Sequence, residues 1–384
     1  MRKIIYFLLL LGFGLQSQIM KAQPLSAYYD FQNQFFAWDN GMIRKIDYLI
    51  PLEYKIGRYA LPYLDNARNF KIYCNGATTK INSGNTNAFY PSDYLVTFQN
   101  NTVLQVWENG EITKLSNLCD KFVSGDSLVM YFDRVQSEYR MYYNKEIFTL
   151  ETFLSGINTS SLIRTDSAQK RFDNMDIANG QIPTFQLSDN IAAYVNFSDQ
   201  FKIFYHGKLI EQESYPIKSF GVGRNTVAYV DINNEFKVFY KGNATSLDAY
   251  VPYQYQTGDN LVAFIGSDNY FKIFYNDSVH NIGYMQPDFV VVDNIVYYTD
   301  QSGYFHVFYK GKDYTLESYT PTEIRAQYNS IAYVSNSRMI KLFTEGALYD
   351  VITADVSSWR LDYDVLQYKF GANMNKVFYK GKTY

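Results

Sequence analysis

A serine hydrolase pattern is the first place where this sequence could hold chemistry. Gly125-Asp126-Ser127-Leu128 is a pattern in which esterases carry a nucleophilic serine. Asp277-Ser-Val-His280 has the D-x-x-H spacing of an acid and a base that could complete a catalytic triad. Such a serine belongs on a strand-to-helix turn of an α/β sheet. Whether the chain can supply that turn depends on its overall organisation.

One phrase returns along the chain at a nearly constant interval. Phe236-Lys-Val-Phe-Tyr-Lys-Gly242 has related copies that end at positions 41, 76, 110, 145, 207, 242, 277, 311, 346 and 381. The steps are 34 or 35 residues, apart from one of 62 (207 − 145). Each unit contains four short runs of β-branched and aromatic residues with turn residues between them. Four-stranded meanders joined by a longer link predict an all-β fold, a β-propeller of about ten repeats. The repeats could close as one wide ring or as two smaller ones.

The repeat changes the interpretation of Ser127. It occupies the place of a turn asparagine that other units carry at Asn190, Asn225, Asn260, Asn294 and Asn329. We therefore interpret Ser127 as a turn residue, and we place His280 in an outer strand of another unit. The sequence has no other catalytic or phosphate-binding motif, and two Cys and three His give no usual zinc spacing. We predict a non-enzyme without cofactor or metal. A hydrolase with carboxylates in the central funnel is the least favoured alternative.

The N-terminus has the pattern of a secretory signal peptide. Arg2 and Lys3 precede an apolar run over residues 4–15, and Ala22 is a small residue at a suitable cleavage point. We predict a signal peptide over residues 1–22, a repeat domain over residues 23–384, and export. No later stretch has the length of a membrane span. The net charge of −3 shows no basic excess, so nucleic acid is not an expected partner.

The one long step marks an insertion or a degraded repeat at about residues 157–183. Its surplus over a normal unit is 27 residues (62 − 35). Arg164, Lys170, Arg171 and Phe172 combine charge with an aromatic ring there, and we predict a partner contact at these four residues. The alternative, a tolerated surface loop, has equal weight.

Two further sets of residues leave alternatives open. Cys74 and Cys119 could form a disulfide in an oxidising compartment, or stay as two buried thiols. A lysine recurs in the repeat phrase and could form an anion-binding ring, although a solvated blade surface is the favoured interpretation. These lysines are Lys71, Lys202, Lys237, Lys272, Lys341 and Lys376.

The signal peptide, the richness in Tyr, Asn and Phe, and the F-K-V-F-Y-K-G repeats resemble exported propellers of Bacteroidota. This resemblance covers nearly the whole mature chain. It implies a periplasmic protein associated with the outer membrane, similar to the propeller-type plug at the periplasmic mouth of the type IX outer-membrane translocon. Three short segments also resemble the D-[S/T]-apolar O-glycosylation sites of that phylum, at Ser127, Ser167 and Ser278.

Together these observations predict a non-catalytic protein-interaction propeller in the cell envelope. Its expected partner is an envelope protein, and the resemblance names an outer-membrane secretion channel that the propeller would plug or scaffold. The alternative is a propeller that binds glycans through tyrosine rings. Most tyrosines lie within strand patterns, where packing between blades also explains them.

Overall fold

The computed structural model describes residues 24–152, 164–166, 171–173, 184–196, 198–353, 355–371 and 374–384. The described strands form ten antiparallel sheets that follow one another along the chain, and we number these sheets as blades 1 to 10. Within each blade the strands pair in chain order.

The first five blades include the two irregular sheets. Blade 1 has three strands and blade 5 has six. Their strands are β1 Leu25–Tyr29, β2 Phe35–Asp39 and β3 Met42–Asp47 in blade 1; β4 Glu53–Tyr54, β5 Leu61–Leu64, β6 Asn69–Cys74 and β7 Ala77–Ser83 in blade 2; β8 Thr86–Pro91, β9 Val96–Asn100, β10 Val103–Glu108 and β11 Glu111–Ser116 in blade 3; β12 Cys119–Ser124, β13 Leu128–Asp133, β14 Glu138–Tyr143 and β15 Glu146–Thr152 in blade 4; and β16 Arg164–Asp166, β17 Arg171–Asp173, β18 Thr184–Leu187, β19 Ile191–Val195, β20 Phe201–Tyr205 and β21 Lys208–Glu213 in blade 5.

The last five blades each have four strands. These are β22 Ser219–Gly223, β23 Thr226–Val230, β24 Phe236–Tyr240 and β25 Asn243–Asp248 in blade 6; β26 Gln254–Gly258, β27 Leu261–Ile265, β28 Tyr270–Tyr275 and β29 Ser278–Tyr284 in blade 7; β30 Phe289–Val292, β31 Ile295–Thr299, β32 Phe305–Tyr309 and β33 Lys312–Glu317 in blade 8; β34 Thr322–Gln327, β35 Ser330–Val334, β36 Met339–Thr344 and β37 Ala347–Thr353 in blade 9; and β38 Ser358–Asp362, β39 Val365–Phe370, β40 Met374–Tyr379 and β41 Lys382–Thr383 in blade 10.

The repeat phrase forms the third strand of a blade and the turn after it. In blade 6 the phrase ends at Lys241 and Gly242, which have φ values of +50° and +89°. Two successive residues with positive φ make the type I′ turn that joins tightly paired strands, and glycine adopts this conformation without steric cost. The Gly that closes most copies of the phrase is therefore a requirement of the turn.

Hydrophobic clusters join successive blades and close the structure as one ring. Each of ten buried clusters is made by two neighbouring blades, from blades 1 and 2 through to blades 9 and 10, and the tenth joins blade 10 back to blade 1. In that closing cluster Trp38 of blade 1 packs on Tyr379 and Tyr384 of blade 10, with ring centroids 5.2 Å and 5.4 Å away. The chain therefore forms a single ten-bladed ring.

Tyrosine, lysine and a carboxylate also link successive blades. In blade 6 the Tyr229 hydroxyl donates to Glu213 of blade 5 at 2.9 Å, and Lys237 pairs with the same carboxylate at 3.3 Å. The same arrangement joins Tyr333 and Lys341 of blade 9 to Glu317 of blade 8. Most of the recurring lysines therefore lie in partly buried ion pairs between or within blades; neither an anion-binding ring nor a solvated surface describes them.

The meander divides the blade connections between two faces of the disc. Successive antiparallel strands reverse direction, so the turns between first and second strands and between third and fourth strands lie on one face. The turns between second and third strands, and the links from one blade to the next, lie on the opposite face. We call the second of these the crossover face.

Candidate functional site

Ser127 lies in the turn between the first and second strands of blade 4, as the repeat predicted. Its hydroxyl donates a hydrogen bond to the carbonyl oxygen of Asp189 in blade 5 at 3.0 Å, and its N–H donates to the same oxygen at 2.8 Å. His280 lies on β29, the outermost strand of blade 7, and packs against Phe308 of blade 8. The structure thus separates the two residues that a triad would bring together.

The turns between first and second strands form a hydrogen-bonded belt that we call the inner-turn ring. In it Asn190 donates to Asn225 at 2.6 Å, and Asn225 donates to Asn260 at 2.9 Å, so three successive blades are joined by the repeated turn asparagine. The residue before this asparagine, or its equivalent, varies from blade to blade. The varying residues are Arg58, Asp93, Asp126, Asp189, Arg224, Asp259, Asp293, Tyr328 and Tyr363.

Two arginines of the inner-turn ring contact blades that are not their neighbours. The guanidinium of Arg58 in blade 2 lies 3.9 Å from the ring centroid of Tyr328 in blade 9, and it pairs with Asp93 of blade 3 at 3.2 Å. Arg224 of blade 6 donates to the Tyr94 hydroxyl of blade 3 at 3.3 Å. Because these residues lie on the turns of innermost strands, the contacts cross the axial opening on this face.

Burial changes the proton affinity of the carboxylates in this ring. Desolvation raises the pKa of Asp93, although Arg58 and Arg224 act in the opposite direction. Desolvation also raises the pKa of Asp259 well above its usual range, and the charges of Asp189 and Asp293 add to the effect. Among the described residues no group of three His, Cys, Asp or Glu side chains has a metal-binding arrangement.

The crossover face carries a concentration of exposed aromatic and aliphatic side chains. The link between blades 6 and 7 exposes Tyr250 and Tyr253 by 67% and 66%, and Tyr215 in the preceding link is 64% exposed. Other exposed residues on this face are Phe31, Tyr48, Leu49, Leu52, Val135, Ile232, Val251, Tyr270, Tyr284 and Tyr304. On the opposite face, Tyr94 is exposed in a turn, and aliphatic side chains such as Met42, Ile112 and Val279 are 46–49% exposed where outermost strands begin. Exposed aromatic rings therefore lie mainly on the crossover face, whereas exposed aliphatic side chains lie on both faces.

The predicted partner-contact residues lie on the inner edge of blade 5 as far as the structure describes them. Arg164 is on β16, and Arg171 and Phe172 are on β17. These two strands form a hairpin that pairs with the first strand of the blade through Arg171 and Gln186, which places it on the axial side. Lys170 lies outside the described residues. Partner binding by this segment stays a prediction.

The remaining predicted sites have different surroundings. Cys74 and Cys119 lie in blades 2 and 4 and form no disulfide with each other in this structure, and burial raises the pKa of Cys74 to about 11. The hydroxyl of Ser127 is hydrogen-bonded to Asp189, and O-glycosylation at the three predicted serines stays a prediction. Ser278 is exposed at the start of β29, whereas Ser167 lies outside the described residues.

Sequence reasoning missed the residues that cross the axial opening. The turn asparagine that marks each unit also marks the varying residue before it, so Arg224 and Tyr328 could have been found by aligning the repeats. Their contacts with Tyr94 and Arg58 could not have been found by aligning the repeats, because these contacts depend on the diameter of the closed ring. In the described part of the chain no helix is long and apolar enough to cross a membrane.

Comparison with known families agrees with this architecture. The model of the 10-bladed beta propeller domain matches residues 19–384, so the chain belongs to that family. No curated protein matches the sequence.

Several solved structures are similar in fold at low identity. The designed Ika8 protein is 16% identical, with 77% of this chain and 96% of that chain covered and a TM-score of 0.31. PorZ of Porphyromonas gingivalis, a surface component of the type-IX secretion system, is 10% identical, with coverages of 78% and 44% and a TM-score of 0.32. AztD of Citrobacter koseri is 11% identical, with coverages of 86% and 94% and a TM-score of 0.31. At these scores the alignments assign neither function nor partner to this chain.

Proposed function

We propose that this chain is a non-catalytic protein-interaction propeller of the cell envelope that plugs or scaffolds an outer-membrane protein secretion channel. The observation that carries the proposal is the crossover face, where exposed aromatic side chains, mostly tyrosines, are concentrated on one side of the disc. Aromatic residues dominate protein interfaces because each buries a large area at a small entropic cost. The opposite face exposes few aromatic rings, which favours a disc that docks on one side.

Two features favour a plug over an open conduit. Arg58 and Arg224 reach across the inner-turn ring to nonadjacent blades, so side chains obstruct the axial opening. The inserted hairpin of blade 5 extends its sheet toward the same axis. The proposed envelope location is supported by the export pattern at the N-terminus. The proposal includes a signal peptide over residues 1–22.

Affinity purification of the tagged protein from detergent-solubilised envelopes tests this function. We expect a stoichiometric outer-membrane protein with the wild type and its loss with the Tyr250→Ser/Tyr253→Ser variant. A control variant, Ile112→Ser/Val279→Ser, removes side chains that are 46% and 49% exposed on outermost strands, and it should retain the partner. A partner-free monomer from wild-type envelopes, or equal capture by both variants, would count against the proposal.

Glycan binding is the second candidate. Tyr270 and Tyr284 are exposed neighbours on the crossover face, with ring centroids 5.4 Å apart, and aromatic rings can stack on sugars. A glycan array with the folded protein should then give binding that Tyr284→Ser removes. An array without signal would dismiss this candidate.

A further inference from the structure

Among the described residues, blade 1 has no strand on the axial side of β1. Within the described ranges β1 pairs only with β2, whereas the other blades begin with a strand on the inner side of the equivalent of β1. In blade 6 the first strand ends at Gly223, three residues before the second begins at Thr226. By the same spacing the missing strand of blade 1 would fall at about residues 18–22, inside the predicted signal peptide. Residues 18–22 lie outside the described residues, so an open edge on β1 rests on the proposed removal of residues 1–22, which would leave two residues ahead of β1 and too few for a strand.

The backbone of β1 directs hydrogen-bonding groups to this edge. In the β1–β2 hairpin the N–H of Asp30 donates to the carbonyl of Gln34 at 3.1 Å. Because bonded and non-bonded pairs alternate in an antiparallel ladder, Tyr28 and Ser26 also bond to β2. The N–H and C=O groups of Tyr29, Ala27 and Leu25 therefore point away from β2.

A cleft lies along the same edge. It has a volume of about 320 Å³ and lies between β1, Tyr54 of blade 2 and the first strands of blade 10. Trp359 and Tyr368 of blade 10 form an aromatic wall of the cleft. The cleft thus lies between the inner strands of the two blades that flank blade 1. An innermost strand of blade 1 would occupy this position.

Side chains of blade 10 partly replace the missing strand. Arg360 donates through Nη2 to the carbonyl of Ala27 at 2.7 Å, and Asn375 donates through Nδ2 to the carbonyl of Tyr29 at 3.1 Å. Both contacts reach carbonyls that face the open edge, which agrees with the alternation along β1. The N–H groups of Ala27 and Tyr29 have no counterpart strand among the described residues. An incoming strand would supply acceptors to these donors, and each edge carbonyl has a second lone pair.

The charge of the cleft indicates what the incoming segment would carry. Its lining includes Arg360 and Lys369 and no carboxylate. Arg360 is already paired with Asp362 at 2.8 Å, so Lys369 is the cation that a ligand would meet. An acidic side chain in the incoming segment would complement it.

We infer that the axial edge of β1 accepts an extended segment of a partner protein, about five residues long and acidic, as a fourth strand of blade 1. Strand addition is a general mode of peptide recognition in which backbone hydrogen bonds provide affinity and side-chain pockets provide selectivity. This strand addition would be one contact point of the proposed protein-binding function. It rests on that proposal for the existence of a protein partner. It does not depend on the crossover face, so the two can fail separately.

The test measures peptide binding to the mature chain, residues 23–384, by fluorescence anisotropy. The probe is a labelled peptide with the sequence of residues 288–293, Asp-Phe-Val-Val-Val-Asp, which contains the first strand of blade 8 and two acidic residues. Two further peptides carry N-methyl groups on one or the other set of alternate amides. We expect saturable binding of the probe, a loss of about tenfold or more for one methylated peptide, and little change for the other, because one set of amides faces β1.

A variant that fills the edge in cis is the matched control. Residues 254–260, the first strand of blade 7 and its turn, are fused directly before Leu25. This variant should melt at a higher temperature than the mature chain and should not bind the probe. The inference is overturned by absent probe binding, by equal binding to the filled variant, or by equal behaviour of the two methylated peptides. Dimerisation of the mature chain that the fused strand abolishes would assign the edge to a second copy and overturn the partner assignment.

Discussion

The contact between Arg58 and Asp93 predicts a large and pH-dependent loss of stability when the arginine is removed. The Arg58 and Asp93 side chains are 21% and 2% exposed, and their charged atoms lie 3.2 Å apart. Removing one member of a buried pair typically costs about 3–5 kcal/mol because the other charge is left unpaired. Since Arg58 is partly hydrated, we expect Arg58→Ala to lower the free energy of unfolding by about 2–3 kcal/mol, including the lost contact with Tyr328.

The sign of the pH dependence follows from the pKa of Asp93. Burial raises this pKa above its value in the unfolded chain, so the protonated carboxyl favours the folded state and this contribution is lost as the pH rises through the folded-state pKa. Removing Arg58 raises the pKa further. The penalty of Arg58→Ala should therefore be larger at pH 8 than at pH 5. Adding Asp93→Asn to the variant should recover part of it at pH 8.

Urea unfolding followed by tyrosine and tryptophan fluorescence gives the measurement. Arg338→Ala is a matched control, because Arg338 pairs with Asp355 at 2.6 Å while the two side chains are 73% and 69% exposed. Exposed pairs contribute little, so this control should change the free energy of unfolding by less than about 0.5 kcal/mol. Equal effects of Arg58→Ala and Arg338→Ala, without dependence on pH, would show that the buried pair of Arg58 and Asp93 does not stabilise the fold.

Two further predictions concern the joints between blades and the acid limit of stability. A Cβ atom at Gly223 would lie 2.0 Å from the carbonyl oxygen of Gly258 in the next blade, so Gly223→Ala should destabilise by about 3 kcal/mol or more. At Gly242 a Cβ meets nothing within 4 Å and φ is +89°, so Gly242→Ala should lower the free energy of unfolding by about 1–2 kcal/mol. If Gly242→Ala lowered the melting temperature more than Gly223→Ala, the close approach of Gly223 to Gly258 would be contradicted. Hydrogen bonds from Asn69 and Lys71 outweigh desolvation and lower the pKa of Asp65 to about 2. The ionised Asp65 carboxylate contributes on the order of 1 kcal/mol to the free energy of unfolding after allowance for solvent screening. This contribution is present above about pH 4 and is lost toward pH 2, so Asp65→Asn should destabilise at pH 7 and not at pH 2. A pH-independent effect of the substitution in urea titrations would exclude the lowered pKa as its cause.

The sequence predicted the architecture because the repeat is expressed in residues with strict backbone roles. The Gly at the end of the phrase is required by positive φ, and the turn asparagine that explained Ser127 bonds to its counterpart in the next blade. These are local requirements, and a repeat displays them in every copy. The use of tyrosine inside the ring also followed from strand alternation, and Tyr229 and Tyr333 are fully buried.

Contacts that join distant parts of the chain could not be read in the same way. The number of blades that complete a circle decides whether the repeats form one ring or two. It also decides whether Arg58 contacts Tyr328 and whether blade 10 packs on Trp38. The recurring lysines were interpreted as solvated because their partners, such as Glu213 for Lys237, belong to a different blade. The cleft beside β1 also depends on the closed ring, because blade 10 supplies one of its walls.

Site-specific photo-crosslinking in living cells tests the docking role of the crossover face most directly. A benzophenone side chain replaces Tyr253 on that face in one variant and Val279 on an outermost strand in the other; these residues are 66% and 49% exposed. We expect a discrete crosslinked product with an outer-membrane protein from position 253 and none from position 279. A product from position 279 alone, or none from position 253 in correctly exported protein, would contradict this docking role.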